Sequence, residues 1–363
     1  MKILIVGPLS SPIVRRVRNG LMSKGVDVYV ASHNVDDDDD DDEKIINLGE
    51  LKNYFNYFDF YKIKKIIDKI KPDVIHAHIA NHYGLMCLFS RVPVVLALWG
   101  SEIMIDPYKG GYIRKMIFRV INFLVLRKAK ICHTSSQHIL DKATKQYPRI
   151  KEKGKVFYWG LPLNALSNLQ YQAVEKNLLV EFKIDAEKLI VFPRGLGWVY
   201  NPSFVSEIIN KLTEYKVLPY KIVVFCGFAD KNDISKFKSM LLNPEKVLII
   251  ERILNDAELY VLYSKAKFHF SVPISDALGG GVIEPAILGS IPILSDLPSY
   301  NQFACEHGAY IIKDGTDNSM AKLYDFLHDG SERINFSYAD YTDDTVLEKI
   351  IHCYRMALEK NEN

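Results

Sequence analysis

Residues 275–296 read SDALGGGVIEPAILGSIPILSD. An apolar strand pattern, AKFHFSV (266–272), precedes them, and a second, IPILS (291–295), lies inside them. Between the two stand Asp276, three successive glycines (279–281), Glu284 and a short apolar stretch. Strand, tight turn, helix, strand is the repeating unit of a parallel α/β sheet. The pattern predicts a helix that opens at Glu284, with Pro285 in its first turn. Glycines at such a turn let the backbone come close to a ligand. The amides of Gly280 and Gly281 stand at the positive end of the helix, where a phosphate binds. Two carboxylates beside them can grip hydroxyls. Phosphate together with a polyol describes a nucleotide-sugar.

The same alternation runs outward in both directions. Upstream in this half lie KLIVFPRG (188–195), KIVVFCG (221–227) and KVLIIE (246–251), each followed by a helical pattern. The first half repeats it: KILIV (2–6), a helix over 12–24, VDVYVA, a helix near 60–71, DVIHAH, a helix at 82–90, VPVVLAL, AKICHTS and GKVFYWG. The chain therefore reads as two doubly wound Rossmann-like α/β domains, residues 1–165 and 166–340. A last helical pattern within 341–363 comes after the second sheet is complete and is expected to cross back to the first domain.

Composition narrows the class. The 363 residues are 48% hydrophobic and 25% charged, near globular averages, and the net charge of +2 gives no case for nucleic acid. Five scattered cysteines without a CxxC pair suggest a reduced, cytoplasmic protein. The opening apolar run, ended by Gly7-Pro8, is too short for a signal-peptide core, and no stretch is long enough for a membrane span. Seven consecutive aspartates (36–42) repel one another and are expected to form a solvated loop rather than a metal site. No His/Cys cluster has zinc spacing, so neither metal nor cofactor is expected. The first strand leads into GPLSSP rather than GxGxxG, which argues against a nicotinamide dehydrogenase.

Arg194 stands just past the strand LIVFP. Residues at that end of a doubly wound sheet face the ligand crevice, and an arginine there can clamp a diphosphate. PRGLGWVYNPSFVSEII, VVFCG, KVLIIERILNDAELYVLYSKAKFHFSVP and SDALGGGVIEPAILGSIPILSDLPSY, in this order, resemble the carboxyl-terminal domain of family 4 retaining glycosyltransferases of the GT-B fold. The resemblance implies two domains facing a cleft, with the donor nucleotide-diphosphate-sugar held by the second. By position in the acid-x7-acid motif, Asp276 would contact the donor sugar and Glu284 the ribose, with Arg194 on the phosphates. The family's usual lysine after the arginine is absent here; the segment has Tyr200-Asn201 instead.

The amino-terminal half resembles the acceptor-binding domain. Ser10 and Ser11 fall at the acceptor loop, while VIHAHIANHYG and LALWGSEI match strand ends that line the cleft. Many relatives carry histidine where this chain has Trp99. His78 and Glu102 are then the polar groups expected to face the reaction, with His76 on the same strand face as His78. Residues 109–130, KGGYIRKMIFRVINFLVLRKAK, hold seven basic residues and no acid among apolar ones. They fit either an ordinary core helix or one that docks on the anionic inner face of the plasma membrane, where lipid-linked saccharide acceptors reside. The expected activity is metal-independent transfer of a sugar to a glycan or lipid-linked saccharide, with retention, in O-antigen (lipopolysaccharide) or capsule synthesis. A catalytically inactive GT-B scaffold and a nucleotide-sugar epimerase of the same architecture are the alternatives.

Overall fold

A computed structural model describes residues 1–36, 42–160, 170–184, 188–214, 219–329 and 339–359. The chain divides into two compact units, one of Met1–Leu161 with Ala339–Asn363 and one of Pro162–Tyr338.

The first unit holds seven strands: β1 (Lys2–Val6), β2 (Asp27–Ser32), β3 (Ile45–Asn47), β4 (Val74–His78), β5 (Val94–Leu98), β6 (Ile131–Thr134) and β7 (Gly154–Val156). All their pairings are parallel, in the order β3-β2-β1-β4-β5-β6-β7. Strand β4, VIHAH, is buried from end to end, which is why two histidines can read as part of an apolar run. The strand β3 escapes the sequence pattern because it is three residues long, none of them fully buried, and no apolar run extends it. The expected helix at 82–90 is instead a wide π-type turn over Ile79–Gly84 with a short helical tail.

The helix Asp343–Leu358 packs its buried face (Val346, Leu347, Ile350, Tyr354) into the core of this first unit, with Val14, Val17 and Leu21 of the helix Pro12–Ser23. Gly20 makes that packing possible, since a Cβ there would lie 2.5 Å from Leu347. Arg15 and Arg18, on the same helix, pair with Asp36 and Asp42 at the two ends of the aspartate run. Asp37 to Asp41 lie outside the described residues, as do residues 161–169, which span the expected domain boundary at 165/166.

The second unit holds β8 (Leu189–Phe192), β9 (Lys221–Phe225), β10 (Val247–Ile250), β11 (Ala266–Ser271), β12 (Ile291–Ser295) and β13 (Tyr310–Ile312). They form one parallel sheet in the order β10-β9-β8-β11-β12-β13. Both faces are covered: Ile190, Phe192, Val224 and Phe270 point into one core, and Leu189, Val191, Val223 and Phe225 into another. Alternate residues of each strand thus feed opposite layers, as the two-residue period requires.

Candidate functional site

In each sheet the chain reverses its direction of growth once, between β8 and β11 in the second unit and between β1 and β4 in the first. The loops that leave the carboxyl ends of such a strand pair diverge to opposite faces and open a crevice between them. Ser10, Ser11 and His78 stand at the pair in the first unit and Arg194, Asp276, Gly280 and Gly281 at the pair in the second, whereas Glu102 follows β5 and Glu284 lies one turn into a helix.

In the second unit, Arg194 follows β8 and Asp276 follows β11. Their side chains, 15% and 13% exposed, form an ion pair at 2.5 Å. Three donors converge on Asp276 Oδ2: Arg194 Nη2, the Tyr300 hydroxyl at 2.8 Å and the Gly279 amide at 2.8 Å. Arg194 Nε also donates to Ser271 Oγ (3.2 Å), and Ser271 and Tyr300 share a hydrogen bond of 2.7 Å. Since Tyr300 gives its proton to the carboxylate, Ser271 must be the donor to Tyr300, and the ring of bonds closes. Burial works against the charge on Arg194, but Asp276, Tyr300 and Tyr200 outweigh it and hold the guanidinium above its usual range. Burial and the adjacent carboxylate push the Tyr300 hydroxyl up, so it stays protonated and donating. All three bonds fall on Oδ2, which leaves Oδ1 as the second acceptor of Asp276.

Each of the three glycines stands where a side chain would crowd Arg194 or Glu284. A Cβ on Gly279 would lie 2.8 Å from Arg194 Nη1, and one on Gly281 would lie 3.0 Å from Arg194 Cδ. The helix begins at Gly280, four residues earlier than the sequence suggested, and runs to Ile287 with Gly279 as its cap. Pro285 therefore sits inside the helix rather than in its first turn. Glu284 is one turn beyond Gly280, and helical side chains lean toward the amino terminus. Its carboxylate is brought back over the helix entrance, so that a Cβ on Gly280 would be 2.8 Å from Oε1. The amides of Gly280 and Gly281 belong to the first turn, where no carbonyl of the helix can accept from them. Tyr200, near the missing lysine's place, lies under the guanidinium with its ring 5.4 Å from Arg194 Cζ.

In the first unit, Gly7 to Ser11 follow β1 and His78 ends β4. The His78 ring lies against Gly7, where a Cβ would be 3.1 Å from its Cδ2. Trp99 Nε1 donates to His78 Nδ1 at 3.1 Å, and Trp159 stacks on the imidazole at 5.8 Å. An indole only donates, so Nδ1 must accept and the proton of His78 belongs on Nε2, a buried atom without a hydrogen-bond partner. Burial, with His76 and His133 beside it, lowers the His78 pKa well below its ordinary value and keeps it neutral. His76 shares the face as expected but is committed elsewhere. Its Nδ1 meets the Tyr354 hydroxyl at 2.8 Å and its Nε2 meets His133 Nε2 at 2.9 Å.

Glu102 has no exposed surface, and its two carboxylate oxygens accept from the Trp99 and Gly100 amides at 2.8 and 2.9 Å. This closes the loop that carries Trp99 and turns the carboxylate inward, away from the expected position facing a substrate. Burial raises its pKa to about 7. Ser10 is exposed, whereas Ser11 caps the Pro12–Ser23 helix by accepting from the Ile13 amide at 3.3 Å. Each crevice carries a residue in a strained backbone conformation. Ile79, directly after His78, has φ 63°, and Leu278, between Asp276 and Gly279, has φ 64°. A branched apolar residue in the left-handed region costs on the order of 1–3 kcal/mol, and such strain concentrates at binding loops.

Tyr300, Ser271 and Tyr200 were not among the sequence candidates. Tyr300 enters from the helix after β12, at no spacing that marks it, and only the three-dimensional closure of the ring shows its part. Among the described residues there is no group of three His, Cys, Asp or Glu that could hold a metal ion, and no helix is long and apolar enough to cross a membrane.

Residues 2–135 match the family model described as glycosyl transferase 4-like. Over 250 residues the chain is 24% identical to the O-antigen chain mannosyltransferase RfbU of Salmonella typhimurium, a match spanning 67% of this chain and 64% of that relative, just under two thirds of its length. Among solved structures, a glycosyltransferase from Rickettsia africae superposes with a TM-score of 0.75 at 17% identity, covering 99% of both chains. HepE of Anabaena, in complex with UDP and glucose, gives 0.72 at 13% identity over 97% of this chain and 98% of that one. The UDP-GlcNAc 2-epimerase of Methanocaldococcus jannaschii gives 0.66 at 16%, over 97% and 99%. At such identities the superpositions speak for the fold alone. The first unit thus matches the glycosyl transferase 4-like model over residues 2–135, and the chain as a whole shares with these structures a fold of two doubly wound parallel α/β units.

Proposed function

We propose that this chain transfers a sugar from a nucleotide-diphosphate-sugar to a saccharide or lipid-linked saccharide, with retention of configuration and without a metal ion. The observation that carries the reading is the convergence of Arg194, Asp276 and the first turn of the Gly280–Ile287 helix at the β8/β11 crevice. A diphosphate leaving group gathers negative charge in the transition state. Arg194 and the Gly280 and Gly281 amides would stabilise that charge, and donors pre-aimed in this way are typically worth about 3–4 kcal/mol each. Asp276 Oδ1 would take a sugar hydroxyl, and Glu284, leaning over the helix entrance, a ribose hydroxyl. In the first unit, His78 Nε2 would donate to an oxygen of sugar or acceptor, and Ser10 lies on the same crevice.

The O-antigen mannosyltransferase relative favours a surface-polysaccharide acceptor. The helix Tyr112–Lys128 supports a lipid-linked one. Its core face is Phe118, Ile121, Val125 and Leu126, yet Tyr112, Ile113, Met116, Ile117 and Val120 on the opposite side are exposed, Ile113 at 74%. An ordinary core helix is polar on that side. With Lys115, Arg119 and Arg127 interspersed, this second apolar face suits the surface of an anionic bilayer. Co-sedimentation with vesicles containing phosphatidylglycerol tests it, since Ile113→Asp with Ile117→Asp should abolish a binding that survives in the native chain.

A screen of nucleotide-sugars for hydrolysis and transfer tests the activity. Glu284→Ala should lose transfer while keeping the fold, and near-native transfer by that variant would sink the assignment. The epimerase superposition sets the second arm, product analysis with no acceptor present. A 2-epimerised donor would overturn the transferase reading, and donor hydrolysis without epimerisation would uphold it.

A further inference from the structure

The loop that carries Asp276 is gripped by the segment running from the end of β12 into the helix Pro298–His307. Ser295 Oγ donates to the Pro273 carbonyl at 3.2 Å, Ser299 Oγ to the Asp276 carbonyl at 2.9 Å, and the Tyr300 hydroxyl to Asp276 Oδ2 at 2.8 Å. The first two bonds hold the backbone, and the third aims the carboxylate. Tyr300 has no exposed surface and Ser299 is buried, so they act on a ligand only through the groups they hold. Leu278, in the same loop, keeps its left-handed φ of 64°. A conformation of that kind persists only where the surroundings fix it.

The same bonds decide which edge of Arg194 is offered. A guanidinium is a planar fork with two usable edges, Nε with Nη2 and Nη1 with Nη2. Ser271 takes Nε and Asp276 takes Nη2. Nη1 has no acceptor among the described residues and lies against Gly279, where a Cβ would be 2.8 Å away. Without the Tyr300 hydroxyl, Arg194 would keep its bonds to Ser271 and Asp276. Asp276 would lose one of the three donors on Oδ2. The effect of Tyr300 therefore falls on the carboxylate rather than on the guanidinium.

We propose that Ser299 and Tyr300, adjacent in the first turn of their helix, are positioning residues of the donor site. They fix Asp276 so that Oδ1 meets a hydroxyl of the transferred sugar. This rests on the reading of the crevice as a nucleotide-sugar site. There, phosphate recognition belongs to Arg194 and the helix entrance, and sugar recognition to Asp276. Groups that serve only the carboxylate should separate the two.

Isothermal titration measures that separation without turnover. The probes are paired: UDP with UDP-glucose, GDP with GDP-mannose, ADP with ADP-glucose and dTDP with dTDP-glucose. Tyr300→Phe keeps the ring in its pocket and removes one oxygen. It should bind the bare diphosphate within about threefold of the native chain and the sugar nucleotide about tenfold more weakly, with an unchanged circular dichroism spectrum. Ser299→Ala should show the same split in smaller degree, about threefold on the sugar nucleotide alone, and carries the test if Tyr300→Phe does not fold. A tyrosine that only packs would change neither ligand, and one that holds the whole crevice together would weaken both alike. Either of those results would overturn the proposal and leave the transferase reading standing. No binding of any pair by the native chain would overturn both.

Discussion

The two crevices occupy equivalent places in their sheets and are built on opposite electrostatic plans. At β8/β11 an arginine and an aspartate are kept charged, tied into a ring with Ser271 and Tyr300. At β1/β4 three histidines are kept neutral, packed among Trp99, Phe157 and Trp159. Fold position alone therefore does not decide a site's chemistry. A charged network suits a ligand whose charge grows as it reacts, and a dry neutral imidazole suits hydrogen bonding to an uncharged hydroxyl or ring oxygen.

Substitutions at the charged crevice should break this contrast most sharply. Arg194→Ala removes the proposed phosphate clamp and leaves Asp276 nearly buried without its cation. Transfer should fall about a thousandfold, and unfolding should cost some 3–5 kcal/mol less, read by a donor-turnover assay and by urea denaturation. Arg194→Lys keeps the charge, so it should recover much of the stability but little of the turnover, which requires a planar fork.

Acid should act through the neutral crevice. His76 is held down to about 3, and His78 and His133 well below their ordinary value, by burial first and neighbouring rings second where these contribute. A histidine with a lowered folded pKa binds its proton only in the unfolded chain, so its contribution is intact above about 6.5 and is lost as pH falls. Each such group adds a slope of up to about 1.4 kcal/mol per pH unit below that point. Glu102 has the opposite sign: raised to about 7, it is protonated in the folded chain first and gives back roughly one histidine's worth between pH 7 and 4.5. Three against one, with His269 in the second unit also held down to about 3 by burial, leaves a net loss, so urea midpoints should drop steadily from pH 7 to pH 5. A flat profile would mean the histidines are not buried and neutral.

Smaller changes sharpen the picture. Gly280→Ala places a methyl against the Glu284 carboxylate and should weaken nucleotide binding about tenfold, by roughly 1.4 kcal/mol, while Glu284→Ala together with Gly280→Ala should show no further loss beyond Glu284→Ala alone. Tyr354→Phe removes one hydrogen bond to His76 and should cost about 1 kcal/mol of stability without touching donor turnover. A turnover defect there would show that the histidine chain reaches the chemistry.

Much of the fold was legible in the chain because each buried parallel strand is a short apolar run bounded by turn residues. The exceptions have physical causes. β3 and β13 are three residues long, β3 without the longer apolar run that marks the equally short β7 (VFYW, 156–159), and the segment after β4 opens into a π-type turn with Ile79 in a left-handed backbone. Placement at a crevice was legible where a candidate stands at a strand's carboxyl end, as with Arg194, Asp276 and His78. It was not legible where a partner arrives from a distant element. Tyr300 completes the Asp276 ring from the helix after β12, and Tyr354 reaches His76 across 278 positions. Glu102 shows the converse limit: a carboxylate beside a predicted cleft turned out to hold its own loop, which only hydrogen-bond geometry could tell.

The central claim is that Arg194 and the glycine helix entrance form a nucleotide-diphosphate site. Calorimetric titration of the native chain with UDP, GDP, ADP and dTDP tests it most directly, alongside Arg194→Ala verified as folded by circular dichroism. At least one diphosphate should bind the native chain in the micromolar range and bind the variant at least tenfold more weakly. Binding by none of the four, or equal binding by both proteins, would contradict the account.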